Sequence, residues 1–368
     1  MIRNKRKKTI VKNNLFLPLI TIPIILSIIG LVFIFESSSI RSFSEYSNSF
    51  YYLKMQGIWL ILAIIVFFIL SKIDYHALYH LAFIIMLSTI VLLIIVLIPG
   101  IGNMAGGARS WINFGYFNIQ PTELAKFSVI VYLSSWLIKK EKKRFFSFAL
   151  FLVILIGLVA LQPDIGTAII IFALSIIIYF LAGIELGYLL ILLPISFAGF
   201  FLLIKISPYR FNRFLAFFDP TRDPLGITYH INQIMISLTN GGLFGQGLGA
   251  SRQKYLFLPE AHTDSIFAII SEEVGFIGSF VLISLYVFFA LNIYRIIKYA
   301  PDRFGKLLAG GIFAFFNLQV IINLGAMVNL LPLTGIPIPF ISYGGSNLLI
   351  SFVLLGILVN IAKKTRIA

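Results

Sequence analysis

Long apolar runs, each closed by a short cluster of polar or turn-forming residues, set the rhythm of this chain. They fall near residues 15–37, 57–73, 77–98, 121–138, 148–161, 166–183, 186–206, 266–297, 306–328 and 342–361. A helix rises 1.5 Å per residue, so crossing a hydrocarbon core of roughly 30 Å takes about 20 mostly apolar residues, and such runs recur along the whole sequence. The runs at 148–161 and 166–183 are short, but Gln162-Pro163-Asp164 divides them, because an uncompensated aspartate is costly in lipid. The pattern predicts an all-α integral membrane protein of about ten transmembrane helices, a single polytopic domain over residues 1–368.

Composition points the same way. Apolar residues make up 59% of the chain and charged residues 12%, and the mean hydropathy is +0.99, more apolar surface than a water-soluble core absorbs. The formal charge of +15 does not point to nucleic acid, because the basic residues sit mainly in the tails and at the ends of apolar runs. The basic tail 1–14 and the clusters at 139–144, 295–306 and 363–366 all fall on one side if ten spans are threaded. By the positive-inside bias that side is cytoplasmic, with both termini there. MIRNKRKK precedes an apolar run without a small-residue cleavage site and reads as a retained anchor. The absence of cysteine excludes disulfides and thiolate metal sites, and the four histidines have no metal-ligand spacing.

The segment 205–265, between the seventh and eighth spans, is the large extracytoplasmic loop of this topology. SPYRFNRFLAFFDP suits a short helix lying in the membrane interface, with Arg210 and Arg213 three apart among phenylalanines. The five glycines from Gly241 to Gly249 allow close backbone approach and suit a re-entrant, protein-covered hairpin. The segment 329–345, with Pro332, Pro337 and Pro339, cannot be helical throughout and is expected to fold back as a loop toward the cavity.

This topology leaves Arg109, Arg210, Arg213, Arg222, Arg252 and Lys254 on the side where basic residues are disfavoured. In 205–265 six basic residues face four acidic ones, a net +2. Salt bridges and lipid headgroups are one explanation; a diphosphate, matched by planar guanidinium groups, is the other. In QPTELAK, Pro121 suits the first helical position, and Glu123 with Lys126 form an i, i+3 pair. The pair either caps the helix electrostatically or faces a substrate groove.

In LPEAHTDSIFAIISEEVG, Glu260 and Asp264 share a face if a helix begins near Pro259. Asp264, at the mouth of the eighth span, is then either a helix N-cap or a carboxylate whose proton affinity is raised by desolvation, a usable general base. Glu272 and Glu273 would orient neighbouring helices, Asp164 reads as an N-cap, and Trp111 as an interfacial anchor.

The stretches ARSWINFGYFNIQPTELAK, LQPDIGTA, GLFGQGLGASRQKYLFLPEAHTDSIFAIISEEVGFIG and LPLTGIPIPFISYGGSNLL resemble, in order and spacing, the motifs of the SEDS family (shape, elongation, division and sporulation), to which RodA and FtsW belong. The resemblance covers about residues 15–364, and RFLAFFDPTRDPLG with GLGASRQKYLFLPEAHTD leans toward its FtsW-like branch. It implies a peptidoglycan glycosyltransferase that polymerises lipid II at the outer face of the bacterial cytoplasmic membrane during division or elongation. It also implies that Asp264 is the essential aspartate and that Trp111, Glu123 and Lys126, with Arg109 in the same loop as Trp111, are functional positions. The partners it implies are a cognate class B penicillin-binding protein, which is a transpeptidase, and other cell-wall synthesis or divisome membrane proteins. Three positions depart from the family pattern: Ser265 replaces an aromatic residue, His230 a glutamine and Asn347 a serine.

The expected reaction is inverting glycosyl transfer with Asp264 as base and a polyprenyl diphosphate leaving group. Arg210, Arg213, Lys126, and Arg109 or Lys254 would offset the leaving group's charge. Glu260 joins the substrate-binding set, and a divalent cation (Mg or Mn) bridging Asp264 and the diphosphate is the one cofactor considered. The rival readings are a flippase for lipid-linked oligosaccharide, which needs a charged route to the cytoplasmic side, and a membrane scaffold, which tolerates neutralisation of Asp264.

Overall fold

A computed structural model describes residues 2–105, 108–115, 117–139, 144–183, 187–206, 208–219, 221 and 223–365. Helices are α1 (Ile2–Tyr46), α2 (Tyr51–Leu70), α3 (Ala77–Ile95), α4 (Pro121–Trp136), α5 (Phe145–Ala160) and α6 (Ile165–Leu181). The second half holds α7 (Gly187–Ile206), α8 (Pro208–Phe218), α9 (Tyr229–Gly241), α10 (Ile266–Tyr299), α11 (Arg303–Met327) and α12 (Gly345–Lys364). Each apolar run of the sequence is helical. Among the described residues, six helices have the length and composition to cross a bilayer: Leu17–Tyr46 of α1, then α2, α3, α10, α11 and α12. The protein is a multi-pass membrane protein. The shorter apolar helices α5, α6 and part of α7 fall below that length, so length and composition alone do not establish ten crossings. The helix α1 runs unbroken from Ile2, so the basic tail continues the backbone of the first helix.

The all-α expectation needs one correction. Between α3 and α4 the chain forms a three-stranded antiparallel sheet, β1 (Gly102–Ala105), β2 (Ala108–Asn113) and β3 (Asn118–Ile119), in the order β1-β2-β3. This polar, glycine-bearing stretch has no apolar stripe to pack as a helix, and strand pairing satisfies its backbone groups instead. The sheet lies against the ends of α4 and α12, where the Gln120 amide donates to Ser346 Oγ at 3.1 Å.

The interior of the bundle is built from α4, α11 and α12, which bury residues around most of their circumference. The helices α2 and α3 pack against them, α5 and α7 lie farther out, and these four turn Phe68, Phe83, Val153 and Phe197 outward. An apolar exterior of this kind fits lipid, because helices leave no backbone group unpaired in hydrocarbon.

The helix α10 is interrupted once, at Gly275, with φ 68° and ψ −168°. The turn after α9 fills the interruption: the Gln246 amide donates to Glu272 O (2.9 Å), Gly247 to Glu273 O (3.0 Å), Phe276 to Gly242 O (2.9 Å) and Ile277 to Leu243 O (3.1 Å). A Cβ on Gly275 would lie 2.2 Å from Gly245 N, so the two backbones meet where no side chain fits. The glycine run is thus a hairpin paired into a broken helix, and protein groups satisfy its irregular backbone.

Candidate active site

Helix α10 starts at Ile266 and not near Pro259, which corrects the expectation that Glu260 and Asp264 lie on one helical face. The chain before it is a series of turns in which Glu260 adopts a left-handed φ of 50°. Its carbonyl accepts from Thr263 N (3.1 Å) and Ser265 N (3.2 Å), which places Asp264 inside a tight loop. The N-cap of α10 is Ser265, so the Asp264 carboxylate is not used as a cap.

Asp264 is 7% exposed. Its Oδ1 lies 3.3 Å from Thr263 Oγ1, and its backbone carbonyl accepts from Asn323 Nδ2 at 2.7 Å. The same Asn323 amide donates to Ile336 O at 2.7 Å, tying α10's entrance to the loop between α11 and α12. Asp264 and that loop, with Leu333, Thr334 and Gly335, enclose a crevice too narrow for a water molecule. Burial pushes the Asp264 carboxyl up to about 6, the neighbouring Glu260 charge adds to the rise, and Arg213 opposes it.

Sequence reasoning missed a second group of residues beside this loop. Arg41, near the end of α1, donates from Nε to Glu45 Oε1 at 2.7 Å and lies 3.9 Å from Glu260 Oε1. Glu45 also accepts from Tyr52 OH at 2.6 Å. The His262 ring packs against those of Tyr52 and Tyr343, 4.6 and 5.5 Å away, and burial first, then the Arg41 charge, holds its imidazole down at about 4. The available signal was the i, i+4 spacing of Arg41 and Glu45 directly after the first apolar run.

Three residues expected to contact substrate have protein partners. Lys254 is 7% exposed, and its ammonium donates to Gly249 O (2.7 Å), Glu36 (2.9 Å) and Glu273 (3.3 Å). Burial acts to lower the proton affinity of Lys254, but its carboxylate partners outweigh burial and raise it. With three donors engaged, Lys254 fastens α1 and α10 to the glycine hairpin. Glu123 and Lys126 are buried as an ion pair. They are 3% and 1% exposed and 2.6 Å apart, in a network that includes Gln319 and Asn347. Lys126 reaches Gln319 Oε1 at 3.4 Å, and Asn347 Nδ2 donates to Glu123 (3.1 Å) and Gln319 (2.9 Å). Asn347, one of the three departures from the family pattern, therefore belongs to the network that knits α4, α11 and α12 together.

The other expectations are placed as follows. Glu272 and Glu273 orient the hairpin, accepting from Ser251 Oγ (2.5 Å) and Gly249 N (3.0 Å) respectively. Asp164 caps α6 through the Thr167 amide at 3.0 Å, and Pro121 is at the start of α4. Arg109 and Trp111 lie on β2, and Arg109 Nε is buried without a hydrogen-bond partner among the described residues. Arg213 lies on α8, close enough for its charge to act on Asp264 and His230. The Arg210 side chain and Arg222 lie outside the described residues. His230 Nε2, on α9, is 2.8 Å from Ser265 Oγ, which pairs the two remaining departures from the family pattern.

Among the described residues no three carboxylate or imidazole groups converge, so the donor set does not form a protein cage for a divalent cation. Asp264 offers such an ion one carboxylate.

Apolar helices around a buried, uncapped carboxylate at the mouth of one of them define a polytopic membrane protein with a candidate acid–base centre. The chain belongs to the cell cycle protein family of FtsW, RodA and SpoVE, whose pattern matches residues 17–367. It is 38% identical to the probable peptidoglycan glycosyltransferase FtsW of Geobacter metallireducens over 95% of both chains. It is 37% identical to stage V sporulation protein E of Bacillus subtilis over 95% of this chain and 97% of that one. A solved structure described as "Structural coordination of polymerization and crosslinking by a peptidoglycan synthase complex" superposes with a TM-score of 0.77 at 25% identity, covering 94% of this chain and 96% of the other. The rod shape determining protein RodA of Thermus thermophilus shares the fold, with a TM-score of 0.70 at 24% identity over 95% of this chain and 97% of that one.

Proposed function

We propose that this chain is a peptidoglycan glycosyltransferase that polymerises lipid II at the outer face of the bacterial cytoplasmic membrane. The observation that carries the reading is the Asp264 carboxyl, buried, not used as a cap, and raised to about 6. A base with that value is mostly ionised at neutral pH and still holds a proton well enough to take one from a hydroxyl in the transition state. Asp264 removes the proton from the acceptor sugar's 4-hydroxyl as that oxygen attacks the donor's anomeric carbon. The bond from that carbon to the diphosphate breaks on the opposite face, and undecaprenyl diphosphate leaves with the electron pair. Arg213, together with Arg210 one turn away on α8, offsets the charge on the leaving group, with Arg109 as the sheet's contribution.

The finer topology belongs to the same reading: ten crossings, both termini cytoplasmic, and 205–265 outside. The narrow crevice beside Asp264 implies that the loop from Asn329 to Ile341 moves away before a sugar enters. A class B penicillin-binding protein, working among other cell-wall synthesis or divisome membrane proteins, is the partner that shifts this equilibrium, by about a few kcal/mol.

The test is the purified chain in vesicles with fluorescent lipid II, with and without that transpeptidase. Glycan polymer, increased by the partner, supports the proposal. Scrambling of lipid II between leaflets with no glycan product overturns it in favour of a flippase.

A further inference from the structure

The loop between α11 and α12 is held unequally along its length. Its second half is fastened: Tyr286 OH donates to Pro339 O at 2.5 Å, the Ile338 amide to Ser342 Oγ at 2.9 Å, and the Tyr343 amide to His262 O at 2.9 Å. Its start is tied to the end of α11, where the Leu330 and Leu331 amides donate to Gly325 O at 2.7 and 3.1 Å. Between these anchors, among the described residues, the one hydrogen bond that holds residues 332–337 runs from Asn323 Nδ2 to Ile336 O, at 2.7 Å. Pro332 and Pro337 stiffen the two ends of this segment, and Gly335, with φ 72°, turns it.

This segment covers the base. A Cβ on Gly335 would lie 3.7 Å from Asp264 Oδ2, so the backbone of the segment rests against the carboxylate. Closure also strands polar atoms. Asn323 and Thr334 line the crevice, and Asn323 Oδ1 and Thr334 Oγ1 are buried without a hydrogen-bond partner among the described residues, in a space too narrow to admit water. An unsatisfied buried group costs more than an ordinary hydrogen bond contributes, so opening the segment to water or to a hydroxyl relieves a penalty of the closed state.

Asn323 stands between the cover and the base. It is 2% exposed, and the two hydrogens of its amide nitrogen go to two different carbonyls, Ile336 O on the segment and Asp264 O on the loop before α10, each at 2.7 Å. Gln319, one turn earlier on α11, is held in the network of Glu123, Lys126 and Asn347, so the stretch of helix that carries Asn323 is fixed. Both amide donors are used, and release of Ile336 O leaves the bond to Asp264 O intact. We propose that Asn323 is a positioning residue for the reaction, a latch whose amide holds Asp264 in register with segment 332–337 and lets that segment swing away without moving the base. This inference rests on the glycosyltransferase reading and names the residue that keeps its base in place.

The chain has no cysteine, so Thr334→Cys places a single thiol on the segment. In vesicles with the transpeptidase partner, its rate of labelling by a water-soluble maleimide, read on the mass of this chain, reports opening. Asn323→Leu, which removes both donors, should raise that rate at least about fivefold, the effect on an equilibrium of losing one ordinary hydrogen bond. With Thr334 intact, the same substitution should lower kcat for lipid II polymerisation at least about tenfold and change KM less. The acid limb of its pH–rate profile should move to lower pH, because a carboxyl released from its cover meets water. Asn323→Ser, with one donor for two carbonyls, should show the same changes to a smaller degree and replaces the leucine variant if that one does not fold. In a folded variant, labelling that stays slow, or an acid limb that stays at its wild-type pH, overturns the latch. Absence of polymer from the wild type removes the glycosyltransferase reading, and the labelling rates then decide the latch by themselves.

Discussion

His230 Nε2 and Ser265 Oγ lie 2.8 Å apart, joining α9 to the N-cap of α10 beside Asp264. Ser265 is fully buried, and burial, followed by the Arg213 charge, holds His230 down at about 4, so its imidazole is neutral across the physiological range. His230→Ala strands the serine hydroxyl, at a cost of about 1–3 kcal/mol. Thermal unfolding in detergent should show that loss, and His230→Gln, whose amide can take the imidazole's place, should recover most of it. Equal stability of wild type and His230→Ala would contradict a structural role for the pair. The same group predicts a pH effect. The unfolded histidine, near 6.5, takes up its proton before the folded one, so stability falls as pH drops from about 6.5 toward 4. His230→Gln should flatten that part of the curve.

Catalytic pH dependence follows from Asp264. With the carboxyl at about 6, kcat/KM should fall tenfold per pH unit below that value, because only the ionised form accepts a proton. Burial is the larger cause of the raised value, and Glu260 is the next. Glu260→Gln removes a like charge and should move the acid limb to lower pH, whereas Arg213→Gln removes an opposing charge and should move it higher. Matched pH–rate profiles of lipid II polymerisation decide the matter, and a shift of either limb in the opposite direction contradicts the assignment.

The buried pair Glu123 and Lys126 should behave as framework. Lys126→Met leaves a buried carboxylate without its cation and should cost about 3–5 kcal/mol. Combining it with Glu123→Gln should restore much of the stability, and a double-mutant cycle measures the coupling. Polymerisation that returns together with stability in the double variant fits the framework role. A stable double variant without activity would return the pair to the substrate groove expected from sequence.

Gly275→Ala should be far more damaging than an ordinary helix substitution. The Cβ would meet Gly245 backbone at 2.2 Å, and the position has a φ of 68° that L side chains rarely adopt. Exposure of the glycine hairpin to limited proteolysis should rise, with a loss of thermal stability. An unchanged digestion pattern would show that the hairpin is not held by this contact.

The helices could be read from the chain because lipid demands long apolar runs, and each run is a helix. The amphipathic segment at α8, the glycine hairpin and the Asp164 cap were legible for similar reasons: local spacing or local chemistry specifies them. Tertiary partners were not. Lys254 looked like a free cation because Glu36 and Glu273 are far from it in sequence, and Lys126 looked substrate-facing because Asn347 and Gln319 arrive from other helices. The start of α10 was misplaced because Pro259 signals a helix start, whereas the chain turns through Glu260 at positive φ. Arg41 was overlooked because an arginine following an apolar run ordinarily marks only the end of a span.

The most direct measurement is the rate of lipid II polymerisation by Asp264→Asn in the presence of the transpeptidase partner, with folding checked by thermal unfolding. Asparagine keeps the side chain's shape and removes its basicity, so the variant should fold normally and lose activity by at least about 10²-fold. Polymerisation at the wild-type rate by the folded variant would contradict the claim that Asp264 is the base.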